Sequence, residues 1–175
     1  MRSIFVFCVW ALLAVPAFAA AKQNDMNDMI DLAKTPWGMT RAETAAALGV
    51  SPPKGEEPFV IKAKLYGHPA GIIYVFWQGH LSAVNAQIVE GIDESKAKTL
   101  MAQLENDLTV RYGKMQKKNT PCRDGPLCTY STWEKDAKTD VVLQHERRHS
   151  IERITLIYVS RDAVAAKRRL ENVKK

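Results

Sequence analysis

Trp37-Gly38-Met39-Thr40-Arg41-Ala42-Glu43-Thr44-Ala45-Ala46-Ala47-Leu48-Gly49 spells a complete short helix, from start signal to stop signal, ahead of three strand-like segments. Thr40 offers a hydroxyl to cap the first turn, and Glu43, three residues on, can return a bond to the cap's own N–H. Gly49 tolerates the left-handed conformation that ends a helix. The stretch is structural and carries no chemistry of its own.

Outward from it, the period of the sequence changes. Ser51-Pro52-Pro53-Lys54-Gly55 reads as a loop, and from Phe59 the pattern alternates: Phe59, Ile61, Ala63 and Leu65 on one side, Val60, Lys62, Lys64 and Tyr66 on the other. Past Gly67-His68-Pro69-Ala70-Gly71, the run Ile72 to Trp77 is apolar on both sides, Gly79-His80 reads as a hairpin turn, and Leu81 to Val89 as the returning strand. Asp93 then caps a long helix whose stripe Ala97, Leu100, Met101, Leu104, Leu108 and Tyr112 stops at Gly113. Thr129–Glu134, Val141–Gln144 and Ile151–Val159 read as three more strands, and residues 161–173 as a last basic helix. Upstream, Met26, Met29, Ile30 and Ala33 are spaced as a short amphipathic helix over residues 24–34. The expected fold is α+β: two tandem helix-three-strand units, residues 22–91 and 92–175, forming an antiparallel sheet with helices packed on one face and short helices at both ends.

Residues 1–21 read as a signal peptide. Arg2 supplies the positive start, residues 4–15 an apolar run too short to span a bilayer, and Ala17-Phe18-Ala19 a small-x-small cleavage site. Cys8 lies inside the apolar run and no cysteine follows the cleavage site at once, so the expected product is periplasmic or secreted and not membrane-anchored. Cleavage leaves about 155 residues, enough for one sizeable core. It also leaves an even pair, Cys122 and Cys128, expected to form a local disulfide in an oxidising compartment. The formal charge is +6, with 25 Lys and Arg against 19 Asp and Glu, and falls to +5 without Arg2. For an exported protein such an excess faces acidic proteins, anionic lipid or lipopolysaccharide rather than nucleic acid.

Gly38-Met39-Thr40, the ending Ala47-Leu48-Gly49, and Tyr74-Val75-Phe76 followed by Gly79-His80-Leu81 and Val84 form a pattern that resembles the small outer-membrane-assembly lipoproteins and the wider β-lactamase-inhibitor-protein-like modules. The resemblance covers residues 36–90. It implies a short antiparallel sheet with helices on one face, and an exported, non-enzymatic module that works by touching another protein or lipid. The lipidated cysteine of those lipoproteins is missing here, and no binding residue is carried over.

One motif points to an enzyme. His145-Glu146-Arg147-Arg148-His149 matches His-Glu-x-x-His, in which one helical turn presents two imidazoles to zinc and the Glu polarises the bound water. His145 and His149 would be ligands, Glu146 the general base of a zinc-dependent metallopeptidase, with Glu152 or Glu171 as third ligand. That chemistry needs a helix, yet Val141-Val142-Leu143 before the motif and residues 154–159 after it are strand-like. In a strand the two histidines stand about 13 Å apart, outside the reach of one ion. The preferred reading is therefore non-enzymatic, without a cofactor. His68 and His80 are expected in solvent-facing turns.

The candidate binding residues are Lys62, Lys64 and Tyr66 on the first strand and Arg147, Arg148 and Arg153 near the last hairpin. On one exposed sheet face these would make a basic platform for an envelope protein or an anionic lipid or lipopolysaccharide component. Trp37, Trp77 and Trp133 are expected mostly in the core.

Overall fold

A computed structural model describes residues 35–173, apart from residue 56, residues 89–91, 122–126 and 149–150. The expected signal peptide and amphipathic helix before Thr35, Cys122 and His149 lie outside the described residues. Helix α1 (Arg41–Leu48) begins where the capping box places it. The Thr40 N–H donates to Glu43 Oε2 at 2.8 Å and the Glu43 N–H to the Thr40 hydroxyl at 3.3 Å. At the other end Gly49 sits at φ 67°, in the region where a Cβ is disfavoured. Three strands follow: β1 (Phe59–Leu65), β2 (His68–Trp77) and β3 (His80–Ile88). Their hairpin turns are Tyr66-Gly67, with φ 50° and 80°, and Gln78-Gly79, with φ 51° and 82°. Two positive φ angles in a row define the turn whose twist matches the strands it joins. The second turn thus falls one residue before the expected Gly79-His80. The first is tight enough for β2 to start at His68, in the stretch read as loop.

Helix α2 (Glu94–Tyr112) is capped by Asp93, whose carboxylate accepts from the Lys96 N–H at 2.9 Å. Four strands come after it: β4 (Gln116–Pro121), β5 (Leu127–Asp136), β6 (Thr139–Arg148) and β7 (Ile151–Ser160), then helix α3 (Arg161–Val173). All seven strands form one antiparallel sheet in the order β1-β2-β3-β7-β6-β5-β4.

The expectation of two tandem helix-three-strand units is therefore corrected. β3 pairs with β7 over Ala83–Ile88, so the halves of the chain share one sheet at its centre, and four strands follow α2 rather than three. The added strand, β4, reads Gln-Lys-Lys-Asn-Thr-Pro and has no apolar alternation to announce it. It exists because β5 offers an open edge, and its lysines and Pro121 suit an edge that must not recruit another chain. Nor do the helices form a layer; they pack on the sheet only loosely. α2 lays down one buried stripe, Ala97, Leu100, Met101, Leu104 and Leu108. α1 buries Thr44 and Ala45, while α3 is exposed from Lys167 through Asn172.

One core joins these elements. Leu65, Ile72, Val84, Ala86, Leu143, Ile154 and Leu156 are buried from the sheet, against Leu100 and Leu104 from α2. Helix α2 lies over β5, β6 and β7: Glu94 meets Arg147 on β6, Glu105 accepts from Ser131 on β5 at 2.6 Å, and Tyr112 meets Tyr158 on β7 at 3.3 Å. Trp133 is 2 % exposed and donates its indole N–H to the Thr109 hydroxyl at 3.2 Å. Trp37 is half-buried and donates to the Thr139 hydroxyl at 3.0 Å, and Trp77, also half-buried, ends β2. Where the β7 pairing stops, Leu81 of β3 accepts from the Gly38 N–H and donates to the Met39 carbonyl, which ties the start of α1 to the sheet.

Candidate functional site

Strand register assigns every side chain to one of two faces. Residues 60, 62 and 64 of β1 share a face with 71, 73 and 75 of β2, 83, 85 and 87 of β3, 153 to 159 in steps of two on β7, and 140 to 146 in steps of two on β6. None of these is part of the core cluster. Most are half-exposed or exposed, with Val60 at 50 % and Val75 at 36 %; Cys128 and Thr155 are the buried exceptions. This is the open face, and its side chains fall in rows across the strands. One row is polar: Lys62, Gly71, Gln87, Thr155, Gln144 and Tyr130. The next is mostly apolar, running Val60, Ile73, Asn85, Ile157, Val142 and Thr132.

At the β1–β2 end the two rows enclose a shallow hollow of about 510 Å³, lined among others by Val60, Ile73, Pro69 and Gly71, with Lys62 and Gln87 also bordering it. Gly71 leaves the space; a Cβ there would touch Val60 Cγ1 at 3.6 Å. Among the described residues, two buried side-chain atoms on this face have no hydrogen-bond partner, Asn85 Oδ1 and Arg153 Nε; both lie beneath the surface and are not open to a ligand.

The expected binding residues divide between the faces. Lys62 and Lys64 are exposed on the open face, and no ion pair engages them among the described residues. Arg153 shares that face three strands away, roughly 14 Å at the usual strand spacing, and its guanidinium meets Glu146 at 3.2 Å. Arg148 ends β6, its backbone paired with Ile151. Arg147 is on the other side, because side chains alternate: it pairs with Glu94 at 2.8 Å and Glu152 at 3.3 Å. Tyr66 leaves the set as well. β1 ends at Leu65, and the positive φ at Tyr66 sends its hydroxyl to Asp107 of α2 at 2.5 Å. Sequence reading missed Ile73, Asn85, Gln87, Thr155 and Gln144. Their signal was present in Ala83-Val84-Asn85-Ala86-Gln87-Ile88, where small and polar residues alternate with core ones.

The His-Glu-x-x-His motif lies on a strand as far as it is described. His145 and Glu146 belong to β6, so their side chains leave on opposite faces. His145 Nε2 stands 2.6 Å from Glu152 Oε2, a carboxylate only 3 % exposed that the Arg147 guanidinium also contacts. Glu146 faces Arg153 instead. A general base on the opposite side of a sheet from the first ligand cannot reach that ligand's metal-bound water. Glu171 lies on an exposed part of α3, and among the described residues no group of three or more His, Cys, Asp or Glu side chains could hold a metal ion. His80 is exposed with Nδ1 2.8 Å from the Gly38 carbonyl, and His68 opens β2 rather than a turn. Cys128 is buried opposite Glu146.

Tyrosines mark how dry the helix-covered side is. Burial, and next the bond to Asp107, push the Tyr66 hydroxyl up to about 12, and burial alone does the same for Tyr74. Each holds its proton more tightly folded than unfolded, where the value is near 10.0. Their contribution to stability is therefore complete below pH 10 and lost as pH rises towards about 12. An alkaline titration followed by tyrosinate absorbance should show a late step coincident with loss of far-ultraviolet circular dichroism. Tyr66→Phe should shrink that step. Full ionisation of all tyrosines below pH 11 with the fold intact would contradict these surroundings.

Compared with known proteins, the chain matches no protein-family model, no curated protein and no solved structure.

Proposed function

We propose that this protein is an exported, non-enzymatic binding module that holds a protein or an anionic envelope component on its open sheet face. The observation that carries the reading is the asymmetry of the sheet. One face carries the core, while the other presents valines and isoleucines in register beside a polar row and two lysines without an ion pair among the described residues. Isolated exposed apolar residues are ordinary, but the pairs Val60–Ile73 and Ile157–Val142, set side by side across the strands and flanked by polar groups, are what a contact surface needs. The local disulfide expected between Cys122 and Cys128 would brace the rim of this face where β5 begins, and belongs to the same proposal. No helix among the described residues is long and apolar enough to cross a membrane.

Site-specific photocrosslinking tests this in cells producing the full chain. A benzophenone side chain at Ile73 or Val142 should trap a discrete adduct, whereas one at Val110, 82 % exposed on α2, should not. Adducts from Val110 alone, or none from the open face, would overturn the reading.

A further inference from the structure

We infer that the ligand of the open face is an acidic protein segment, lying extended across the strands with an apolar side chain in the hollow at Gly71 and carboxylates on Lys62 and Lys64. This rests on the binding-module reading above and specifies its partner.

Charge gives the first argument. Among the described residues Lys62 and Lys64 on the β1 edge have no ion pair, whereas the acidic groups of the open face are engaged: Glu146 by Arg153, Asp140 and Glu134 by Arg161. The unneutralised charge at the hollow among these residues is positive, so the carboxylates of a partner find counter-charges there. Shape gives the second. The hollow is walled by Val60, Pro69 and Ile73 and bordered by Lys62 and Gln87, which suits an apolar anchor flanked by a carboxylate rather than a flat bilayer surface.

The test uses the chain from residue 22 onward and two labelled peptides, one of alternating Glu and Val, the other of alternating Lys and Val. Vesicles of phosphatidylcholine with phosphatidylglycerol serve as the anionic lipid. Fluorescence anisotropy should show binding of the acidic peptide that weakens with salt. It should fall about tenfold or more in the double variant Lys62→Glu/Lys64→Glu, in line with roughly 1.4 kcal/mol per tenfold. Gly71→Leu should also weaken it, by filling the hollow at a position of ordinary φ. Both variants are checked for an unchanged melting temperature, and Lys62→Gln/Lys64→Gln substitutes if the charge reversal fails to fold. Equal binding of the two peptides, binding of the vesicles in place of the acidic peptide, or affinity indifferent to the lysines would overturn the inference. Acidic-peptide binding that needs prior removal of residues 22–34 would make the chain's own N-terminal segment the occupant, and would overturn it too. If the open-face crosslinks form while the acidic peptide fails, the module reading stands and only this partner chemistry is wrong. If neither occurs, both fall.

Discussion

Trp133→Ala is expected to lower stability by about 3–5 kcal/mol, the range for emptying an aromatic site in a packed core. Trp133 is 2 % exposed, its cross-strand neighbour Val141 is fully buried, and its indole holds the Thr109 hydroxyl of α2. Truncation thus removes a large buried surface, leaves a hole between β5 and the helix, and strips the Thr109 hydroxyl of its partner. Natural domains have total stabilities of about 5–15 kcal/mol, so this one change consumes much of the margin. The melting temperature should drop by roughly 6–20 °C, given about 2–4 °C per kcal/mol for a chain of this size. Trp133→Phe separates the contributions, since it keeps most of the packing and loses the hydrogen bond, and should cost about 0.5–1.5 kcal/mol if the remaining cavity is small. Chemical denaturation of the three proteins measures all of this. A loss below 1 kcal/mol for the alanine variant would mean that α2 is held by other contacts.

Local signals wrote local structure faithfully, and the reason is that caps and turns depend on few residues. The Thr40–Glu43 capping box and the Asp93 cap form as their spacing implies, because each is satisfied within one helical turn. The stripe from Ala97 to Leu108 buries as its 3.6 period requires. Connectivity between strands was beyond that kind of signal. Nothing in residues 83–88 or 154–159 states that they pair with each other, across a separation of some seventy residues. Yet this one ladder turns the expected two units into a single sheet. β4 was hidden for a different reason. An edge strand rich in lysine and ending in proline has the composition of a loop, and its structure is imposed by β5.

The candidate site was legible only in part. Lys62 and Lys64 were found because a lysine in a strand's alternation must face water. Arg147 was placed with them wrongly, since it was grouped with Arg148 and Arg153 by nearness in sequence, and alternation sends neighbouring residues to opposite faces. Tyr66 was misplaced because the alternation was extended one residue into a turn. The His-Glu-x-x-His match shows the same lesson from the other side. Spacing alone suggested a metal pair on a helix, whereas the apolar β-branched runs around it marked the strand that the structure shows as far as Arg148, with His145 meeting the buried Glu152 carboxylate.

Leu156→Ala is the second large effect, expected at about 2–5 kcal/mol, and it tests the unity of the sheet as well as its packing. Leu156 is 2 % exposed on β7, between Ala86 of β3 and Leu143 of β6, at the seam that joins the strands before α2 to those after it. Its loss opens a cavity against both halves of the chain. Were the halves independent units, the damage would fall on the second alone, and unfolding would proceed in two steps with the first unit surviving. A continuous core predicts a single transition, shifted as a whole, with tryptophan fluorescence and far-ultraviolet circular dichroism giving the same midpoint. Val110→Ala, at a site 82 % exposed on α2, should change stability by under about 0.5 kcal/mol and provides the baseline. Separated midpoints in the Leu156 variant would mean that β3 and β7 pair without being energetically coupled. Coincident ones would mean that the strands on either side of the seam, and the open face they share, unfold as one cooperative unit.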